Sequence, residues 1–235
     1  MRIDVLTLFP EMFPGVLGAS ILGRAAERGL VDVRVHDIRD WSRDAHRKVD
    51  DRPYGGGPGM VLAPGPVVRA VRAVRAMAAN EGRLVLLTPQ GEFFAQARAR
   101  ALAREERLVL VCGHYEGFDE RIRTILSPEE LSVGPYVLTG GEPAALVVID
   151  AVARLVPGVL GCAESCRTES FAGENGLLEG PQYTRPREYE GLRVPEVLTG
   201  GNHAEIEVWR ACEAERRTRE RRPGWTRGED KEGER

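Results

Sequence analysis

Apolar and polar residues follow two different periods along the chain, and these periods predict where strands and helices lie. Residues 2–8 and 31–35 alternate apolar and polar side chains, which indicates strands. Residues 67–79 carry apolar side chains every three or four positions, which indicates an amphipathic helix with an arginine stripe facing solvent. Further elements are predicted as a helix from Ser20, the N-cap, to Gly29, strands at 84–87, 108–112 and 136–138, and helices at 94–105, 119–126 and 143–156.

Strand and helix patterns that take turns predict an α/β domain around a parallel sheet, here covering residues 1–160. The apolar runs at 84–87 and 108–111 are typical of strands with both faces covered. Between them and the first two strands, residues 37–66 show no period, and about thirty residues without one favour a functional loop.

The composition changes after Pro157-Gly158. Residues 161–185 are rich in Gly, Ser, Glu and Asn, and we predict a flexible linker there. Residues 186–235 contain a charged, helix-forming stretch at 203–222, which predicts a small helical domain with a frayed end at 224–235.

Composition narrows the class of protein. The 235 residues are 42% hydrophobic and 29% charged, as in a folded globular chain, and the net charge of −3 does not indicate a nucleic-acid partner. No run approaches the ~18 apolar residues of a membrane span, and no signal peptide is recognisable, so we expect a cytoplasmic protein. The four cysteines lack a C-x-x-C pair; Cys162 and Cys166 are four residues apart without a second ligand pair, so we predict no metal site.

Three glycine-containing turns directly follow predicted strands, at residues 88–91, 113–117 and 139–142. Ligands of open α/β sheets bind beyond the carboxyl ends of the strands, where glycines let backbone amides approach closely. Any one turn could serve only to reverse the chain, but together the three favour a cofactor pocket. Neither a G-x-G-x-x-G nor a Walker lysine motif is present, so the residues give no support for a dinucleotide or P-loop site.

A second dense segment, residues 46–60, lies in the long loop. Its glycines and prolines define a backbone shape, while Asp50, Arg52 and Tyr54 offer hydrogen bonds and a stacking face suited to an unstacked base. The same pattern fits a structural Ω-loop, and the residues alone do not decide between the two.

Seven motifs in a fixed order resemble those of the bacterial tRNA (guanine-N1)-methyltransferases of the SPOUT superfamily. They span residues 1 to about 222 and are V-D-D-R-P-Y-G-G-G-P-G-M, T-P-Q-G, V-C-G-H-Y-E-G-F-D-E-R, S-V-G-P-Y-V-L-T-G-G-E, R-L-V-P-G-V-L-G, P-Q-Y-T-R-P and G-N-H-A-E-I. A single motif could be chance, whereas the ordered set is specific.

The resemblance implies a parallel-sheet SPOUT domain with a deep trefoil knot, followed by a small C-terminal helical domain that binds tRNA. It also implies a homodimer with the active site at the subunit interface. The knot would form a pocket for S-adenosyl-L-methionine, lined at the family's positions by Leu87, Pro89, Gly91, Gly113, Glu116, Val133, Gly134, Pro135, Tyr136, Val137, Leu138, Gly140 and Gly141.

The implied reaction is methylation of guanine N1 at the tRNA nucleotide immediately 3′ of the anticodon. A carboxylate would remove the N1 proton, and Glu169 stands where the family has an Asp before Ser-Phe. Arg154 would stabilise the negative charge that develops on O6. The implied RNA contacts are Asp50, Arg52, Tyr54, His46, Asn202 and His203, and Mg²⁺ is an implied further cofactor.

Some positions depart from the family's pattern. Glu169 is one methylene longer than Asp, and the linker is about two residues longer near Glu174-Asn175. Pro135 stands at a usually acidic position, Pro143-Ala144 departs as well, and the chain ends soon after Pro223, which predicts a weaker grip on tRNA. Two alternatives therefore stay open: a catalytically impaired homologue that binds tRNA or cofactor, and a related SPOUT methyltransferase with another target.

Overall fold

The computed structural model describes residues 1–161, 169–173 and 175–223. Contacts between Cα atoms divide the chain into two compact units, Met1–Gly161 and Cys162–Arg235. The expected frayed end at 224–235, the pair Cys162 and Cys166, and Glu174 of the lengthened linker lie outside the described residues.

The first unit is an α/β fold with two short 3₁₀ helices, Pro10–Met12 and Ile38–Trp41. Its strands are β1 (Arg2–Thr7), β2 (Asp32–Asp37), β3 (Asp50–Asp51), β4 (Val61–Leu62), β5 (Arg83–Phe93), β6 (Arg107–Cys112) and β7 (Glu129–Ser132). Its helices are α1 (Pro14–Leu17), α2 (Ser20–Glu27), α3 (Pro64–Arg75), α4 (Gln96–Leu102), α5 (Glu120–Leu126) and α6 (Glu142–Ala153).

Five of these strands form one sheet in the order β2-β1-β6-β5-β7, and every neighbouring pair is parallel. The predicted parallel sheet is therefore confirmed. Successive side chains of the central strands enter opposite layers: Leu108 and Leu110 pack with α2, α4 and α6, whereas Val109 and Val111 pack with α3 and α5. Both faces are apolar because helices cover both.

The predicted strand at 136–138 is wrong. These residues lie in an irregular loop, and the strand that precedes α6 is β7, Glu129–Ser132, at the edge of the sheet. The two glutamates of β7 are held by arginines: Arg83 Nε donates to Glu129 Oε2 at 2.7 Å, and Arg123 Nε donates to Glu130 Oε2 at 3.0 Å. A strand held partly by ion pairs at an edge shows no apolar run, so periodicity could not find it.

Other boundaries differ from the predicted ones. The helix expected to begin after Ser20 includes Ser20, and Ala19 is its N-cap. The long loop at 37–66 contains an antiparallel pair, β3 with β4, and Ala63 N–H donates to Val49 O at 2.8 Å. The predicted strand at 84–87 continues to Phe93, which pairs with Ser132.

A buried ionic network joins the start of the sheet to the end of α3. Asp4 is fully buried and accepts hydrogen bonds from Arg2, His36 and Arg107 at 2.8 Å each. Burial raises the pKa of Asp4, but these hydrogen bonds outweigh burial and hold its pKa well below the usual value. Because this pKa lies below that of the unfolded chain, the network stabilises the fold above about pH 4, and this contribution is lost as the pH falls further.

Arg107 is the member of this network with the most partners. Besides Asp4, its guanidinium donates to the carbonyl oxygens of Val74 at 2.6 Å, Arg75 at 3.0 Å and Asn80 at 2.7 Å, so it also satisfies the last carbonyls of α3. Removing one partner of a buried ion pair leaves an uncompensated charge.

We expect Arg107→Met to lower the free energy of unfolding by about 3–5 kcal/mol, since Asp4 would stay buried with one of its three partners removed. Chemical denaturation followed by circular dichroism measures this. The matched control is Arg34→Met, because the Arg34–Asp32 pair is 52% exposed on both sides and should contribute at most about 1 kcal/mol. Equal losses in the two variants would contradict a structural role for the network.

The second unit contains a hairpin of β8 (Glu188–Tyr189) and β9 (Leu192–Arg193), a 3₁₀ helix at Glu196–Thr199 and the helix α7 (His203–Arg221). The hairpin was not predicted, whereas α7 forms one residue short of the expected stretch at 203–222. In the described part of 161–185 the backbone forms turns and bends without a helix or strand. Leu178 N–H donates to Thr218 Oγ1 at 2.9 Å, so this segment contacts α7.

Candidate functional site

A cavity of about 370 Å³ lies beside β5 and beyond the ends of β6 and β7. Three segments form its wall, and each follows or belongs to a strand of the sheet: residues 87–90, 113–118 and 131–141. Each of the three segments overlaps one of the turns that the sequence singled out. The carboxyl edge of the sheet therefore carries a cavity where the turns predicted one.

Glycines let two of the wall segments touch through their backbones. Gly141 N–H donates to Gly113 O at 2.7 Å, and a Cβ on Gly141 would lie 2.7 Å from Gly113 N and 2.8 Å from Cys112 Cα. A Cβ on Gly113 would lie 2.9 Å from the Phe118 ring and 3.2 Å from Leu87 O. Side chains at these positions would force the wall apart, so the cavity depends on glycine here.

The second wall segment, residues 113–118, is docked on β4, the second strand of the antiparallel pair in the long loop. Glu116 N–H donates to Met60 O at 3.0 Å, and Leu62 N–H donates to Gly117 O at 2.9 Å. Gly59 has a φ of +81°, and a Cβ there would lie 2.3 Å from Glu116 Oε1. The segment 46–60, predicted to grip a base, is thereby fixed to the loop that carries Glu116.

A second, more open cavity of about 360 Å³ adjoins the first one, and Tyr115 lines both. Two of the predicted RNA contacts, His46 and Asp50, line it together with Arg39, Arg47 and Lys48. The other two in this segment, Arg52 and Tyr54, are exposed, and Tyr54 is completely so. The segment thus presents cationic and aromatic groups next to the first cavity, which we call the glycine-walled cavity after Gly113 and Gly141.

The structure brings eleven of the thirteen predicted cofactor residues to the first cavity. These are Leu87, Pro89, Gly113, Glu116, Val133, Gly134, Tyr136, Val137, Leu138, Gly140 and Gly141. Gly91 and Pro135 are not among the lining residues. Gly91 instead allows β5 to pass close to β7, since a Cβ there would lie 2.4 Å from the backbone of Glu130 and Leu131.

Sequence reasoning missed several residues of the wall. His114 and Tyr115 lie inside the V-C-G-H-Y-E-G motif, and Gln90 and Ser132 adjoin predicted positions, so the signal was their place in the motifs.

Two buried titratable side chains lie next to the wall. Glu142 directly follows Gly141 and is 1% exposed. Cys112 is fully buried, and burial, followed by the charge of Glu142, raises the pKa of its thiol, which therefore stays protonated.

The predicted catalytic residues lie away from this cavity or in the other unit. Arg154 is the C-cap of α6, a helix of 12 residues that spans about 18 Å, and the cavity is at its opposite end. Glu169, in the second unit, is half-buried, and its carbonyl oxygen accepts from Ala172 N–H at 3.1 Å. Asn202 and His203, at the start of α7, are exposed.

Within residues 1–161, 169–173 and 175–223, no group of three or more His, Cys, Asp and Glu side chains is placed to hold a metal ion. None of the helices described there is both long and apolar enough to cross a bilayer.

Comparison with known proteins identifies the group to which the chain is related. The family model described as tRNA (Guanine-1)-methyltransferase TrmD matches residues 1–227. Three curated proteins, each named tRNA (guanine-N(1)-)-methyltransferase, are similar over nearly their whole length. The protein from Pelotomaculum thermopropionicum is 59% identical over 224 residues, which cover 95% of this chain and 88% of the relative.

The protein from Shouchella clausii is 54% identical over 228 residues, covering 97% of this chain and 92% of the relative. The protein from Bacillus licheniformis is 56% identical over 223 residues, covering 95% and 91%. With a family model that matches almost every residue and relatives at this identity, the chain belongs to the tRNA (guanine-1)-methyltransferase family.

Proposed function

We propose that this chain transfers a methyl group from S-adenosyl-L-methionine to N1 of guanine in tRNA, at the nucleotide immediately 3′ of the anticodon. The observation that carries the proposal is the glycine-walled cavity at the carboxyl edge of the sheet, in a chain that belongs to this family. We place this activity in the cytoplasm, together with its tRNA substrate.

The residues around the cavity fit the methyl donor. A volume of about 370 Å³ lies within the range of ~300–1,000 Å³ that small-molecule sites occupy. Gly113 and Gly141 line the cavity without side chains, and the Nδ1 atom of His114 is buried without a hydrogen-bond partner among the described residues. Glu116 supplies a carboxylate for a cationic ligand. When bound, the cofactor supplies a methyl group on a positively charged sulfur.

The path of the chain around the cavity supports the deep trefoil knot. After β7, at one edge of the sheet, the chain returns past β5 so that Gly140 pairs with His114 at the end of β6. Helix α6 then packs against β6 and β1. A segment that crosses an earlier strand end in this way is what the knot of a SPOUT domain requires.

Proton removal is assigned to Glu169. Neutral guanine carries a proton on N1, which has to leave before or during attack on the methyl group, and a carboxylate is a suitable general base. The assignment depends on the sequence Glu169-Ser170-Phe171, which matches the family's position for this group. The extra methylene relative to Asp moves the carboxylate by about 1 Å, and the longer linker would compensate for it.

Charge stabilisation is assigned to Arg154. As the proton leaves, negative charge develops on guanine O6, and a guanidinium nearby lowers the barrier. Within one chain Arg154 stands about 18 Å from the cavity, at the far end of α6. The proposal therefore includes a homodimer in which Arg154 of the partner subunit completes each site.

Recognition of tRNA is assigned to two parts of the chain. His46, Asp50, Arg52 and Tyr54 would contact the target guanine and its neighbour, since a stacking face and hydrogen-bonding groups suit an unpaired base. Asn202 and His203 would contact the RNA from the small helical domain at residues 186–235. Residues 161–185 would be the flexible linker that connects this domain to the first one. No step of this proposal uses Mg²⁺.

We expect the purified protein to transfer labelled methyl from S-adenosyl-L-methionine to a tRNA transcript that carries guanine 3′ of the anticodon. A transcript with adenine at that position is the control and should take up no label. Mass spectrometry of the digested RNA should identify 1-methylguanosine. Cofactor binding without transfer would favour the impaired homologue, and label on another atom would favour a SPOUT enzyme with a different target; either result would contradict the proposal.

A further inference from the structure

A buried carboxylate at the start of α6 has no role in the reaction described so far. Glu142 is 1% exposed, and its Oε1 accepts from Thr7 Oγ1 at 2.7 Å. Thr7 Oγ1 in turn accepts from Phe9 N–H at 2.9 Å. Burying a carboxylate is costly unless its oxygens are paired, and the other oxygen, Oε2, faces the cavity wall at His114.

His114 lines the cavity and lacks a partner for one of its ring nitrogens. Its Nδ1 is buried and, within the described part of the chain, forms no hydrogen bond, while it lies 3.9 Å from Glu142 Oε2. The ring is flanked by Phe9, with centroids 4.8 Å apart, and by Tyr115, at 4.7 Å. The imidazole is therefore held in place with its unpaired nitrogen directed at the buried carboxylate.

Glycine keeps the space between these two groups clear. A Cβ on Gly140 would lie 2.3 Å from Glu142 Oε2 and 2.7 Å from His114 Nδ1. Hydrogen bonds of active sites are often long before the ligand binds and shorten in the complex. The distance of 3.9 Å between His114 Nδ1 and Glu142 Oε2 can thus close by a small rotation of either side chain, because Gly140 places no Cβ between them.

We propose that Glu142 is a positioning residue that accepts a hydrogen bond from His114 Nδ1–H and fixes the imidazole in that tautomer. Nε2 is then an acceptor, and it receives a hydrogen bond from a donor group of the bound methyl donor. The donor is either a ribose hydroxyl or the α-ammonium group. This inference rests on the proposed function, and it assigns His114 to cofactor binding.

The proposed tautomer depends on the partners on the two sides of the ring. In a neutral imidazole one nitrogen donates and the other accepts, and the partner of the buried nitrogen decides which. A carboxylate can only accept, so it selects Nδ1–H. The methyl donor carries positive charge on sulfur and on its amino group, so a neutral acceptor on the wall is favourable where a second cation would repel it.

Nitrogen-15 NMR of the side chains reads the tautomer directly. The chain has four histidines, and the signals of His114 are those lost in His114→Asn. In the complex of the wild-type protein with S-adenosylhomocysteine, we expect the proton on Nδ1 of His114. Isothermal titration calorimetry with the same compound measures affinity without requiring turnover.

Glu142→Gln keeps the shape of the side chain and tests the assignment. Thr7 would donate to the amide oxygen, so the amide NH₂ would face His114 Nδ1 and favour the Nε2–H tautomer. We expect the tautomer to reverse and the affinity for S-adenosylhomocysteine to fall about tenfold, since an acceptor facing the ligand has become a donor.

Thr7→Val is the matched control. It removes the other hydrogen bond of Glu142 and lowers stability, but it leaves the carboxylate facing His114, so tautomer and affinity should stay as in the wild type. Methylthioadenosine, which keeps the ribose and lacks the amino acid, separates the two donors: a penalty in Glu142→Gln that persists assigns the ribose hydroxyl, and one that disappears assigns the ammonium group.

Three results would overturn the inference alone: an Nε2–H or doubly protonated His114 in the wild-type complex, affinity of Glu142→Gln within twofold of wild type, or a Thr7→Val variant that loses affinity as Glu142→Gln does. Absence of any binding of S-adenosylhomocysteine to the wild-type protein would overturn the proposed function as well, and so distinguishes the two failures.

Discussion

Glu169→Gln should reduce methyl transfer to tRNA by a factor of about 10²–10⁴ and leave the affinity for S-adenosylhomocysteine unchanged. An amide of the same shape cannot take the N1 proton, and general-base catalysis is worth this range of rate. Single-turnover transfer of labelled methyl measures the chemical step, and calorimetry measures the affinity. The rate and the affinity are measured separately because a group that acts only on the N1 proton should change the rate of transfer and leave the cofactor affinity unchanged.

Two further variants sharpen this test. Glu169→Asp restores the side chain that the family resemblance implies, so its rate should stay within about tenfold of wild type or exceed it. Glu196→Gln removes an exposed carboxylate from the same unit and should leave the rate unchanged. Retained turnover in Glu169→Gln would remove Glu169 from the role of base.

Gly141→Ala should lower the affinity for S-adenosylhomocysteine by about a hundredfold or more. Its Cβ would lie 2.7 Å from Gly113 N and 2.8 Å from Cys112 Cα, and both are backbone atoms that cannot rotate away. The two wall segments would have to separate by several tenths of an ångström or more, and misplacement of about 1 Å can cost ~10² in function. Calorimetry measures the loss.

Gly15→Ala is the control for this substitution, because a Cβ on Gly15 would have no neighbouring atom within 4 Å and the backbone there is helical. It should bind the cofactor analogue as the wild type does. Circular dichroism and thermal unfolding show whether Gly141→Ala is folded. A folded Gly141→Ala protein with wild-type affinity would contradict the view that contact between the segments shapes the site.

The interior of the sheet could be predicted from the sequence because its strands have both faces covered. The apolar runs of β5 and β6 follow from that burial, and the helices that cover them show a period of three to four residues. Edge strand β7 could not be found in this way, since it has no apolar run: Glu129 pairs with Arg83, which is distant in the sequence, and Glu130 pairs with Arg123.

The candidate site was predictable only to the extent that glycine turns follow strands. The turns at 113–117 and 139–142 gave the position of the cavity, but the approach of Glu142 to His114 depends on two loops that meet only in the fold. The roles of Arg154 and Glu169 came from the family resemblance alone, because neither lies in a local pattern that indicates catalysis. The proposed knot leaves no periodicity in the sequence, since threading does not change which residues are buried.

The central claim is that the methyl donor binds in the glycine-walled cavity at the carboxyl edge of the sheet. A crystal structure of the protein with S-adenosylhomocysteine tests it most directly. We predict that the ligand occupies the cavity between residues 87–90, 113–118 and 131–141, with its adenine against backbone groups of the wall. A ligand bound outside this cavity, whether the cavity is open or closed, would contradict the account.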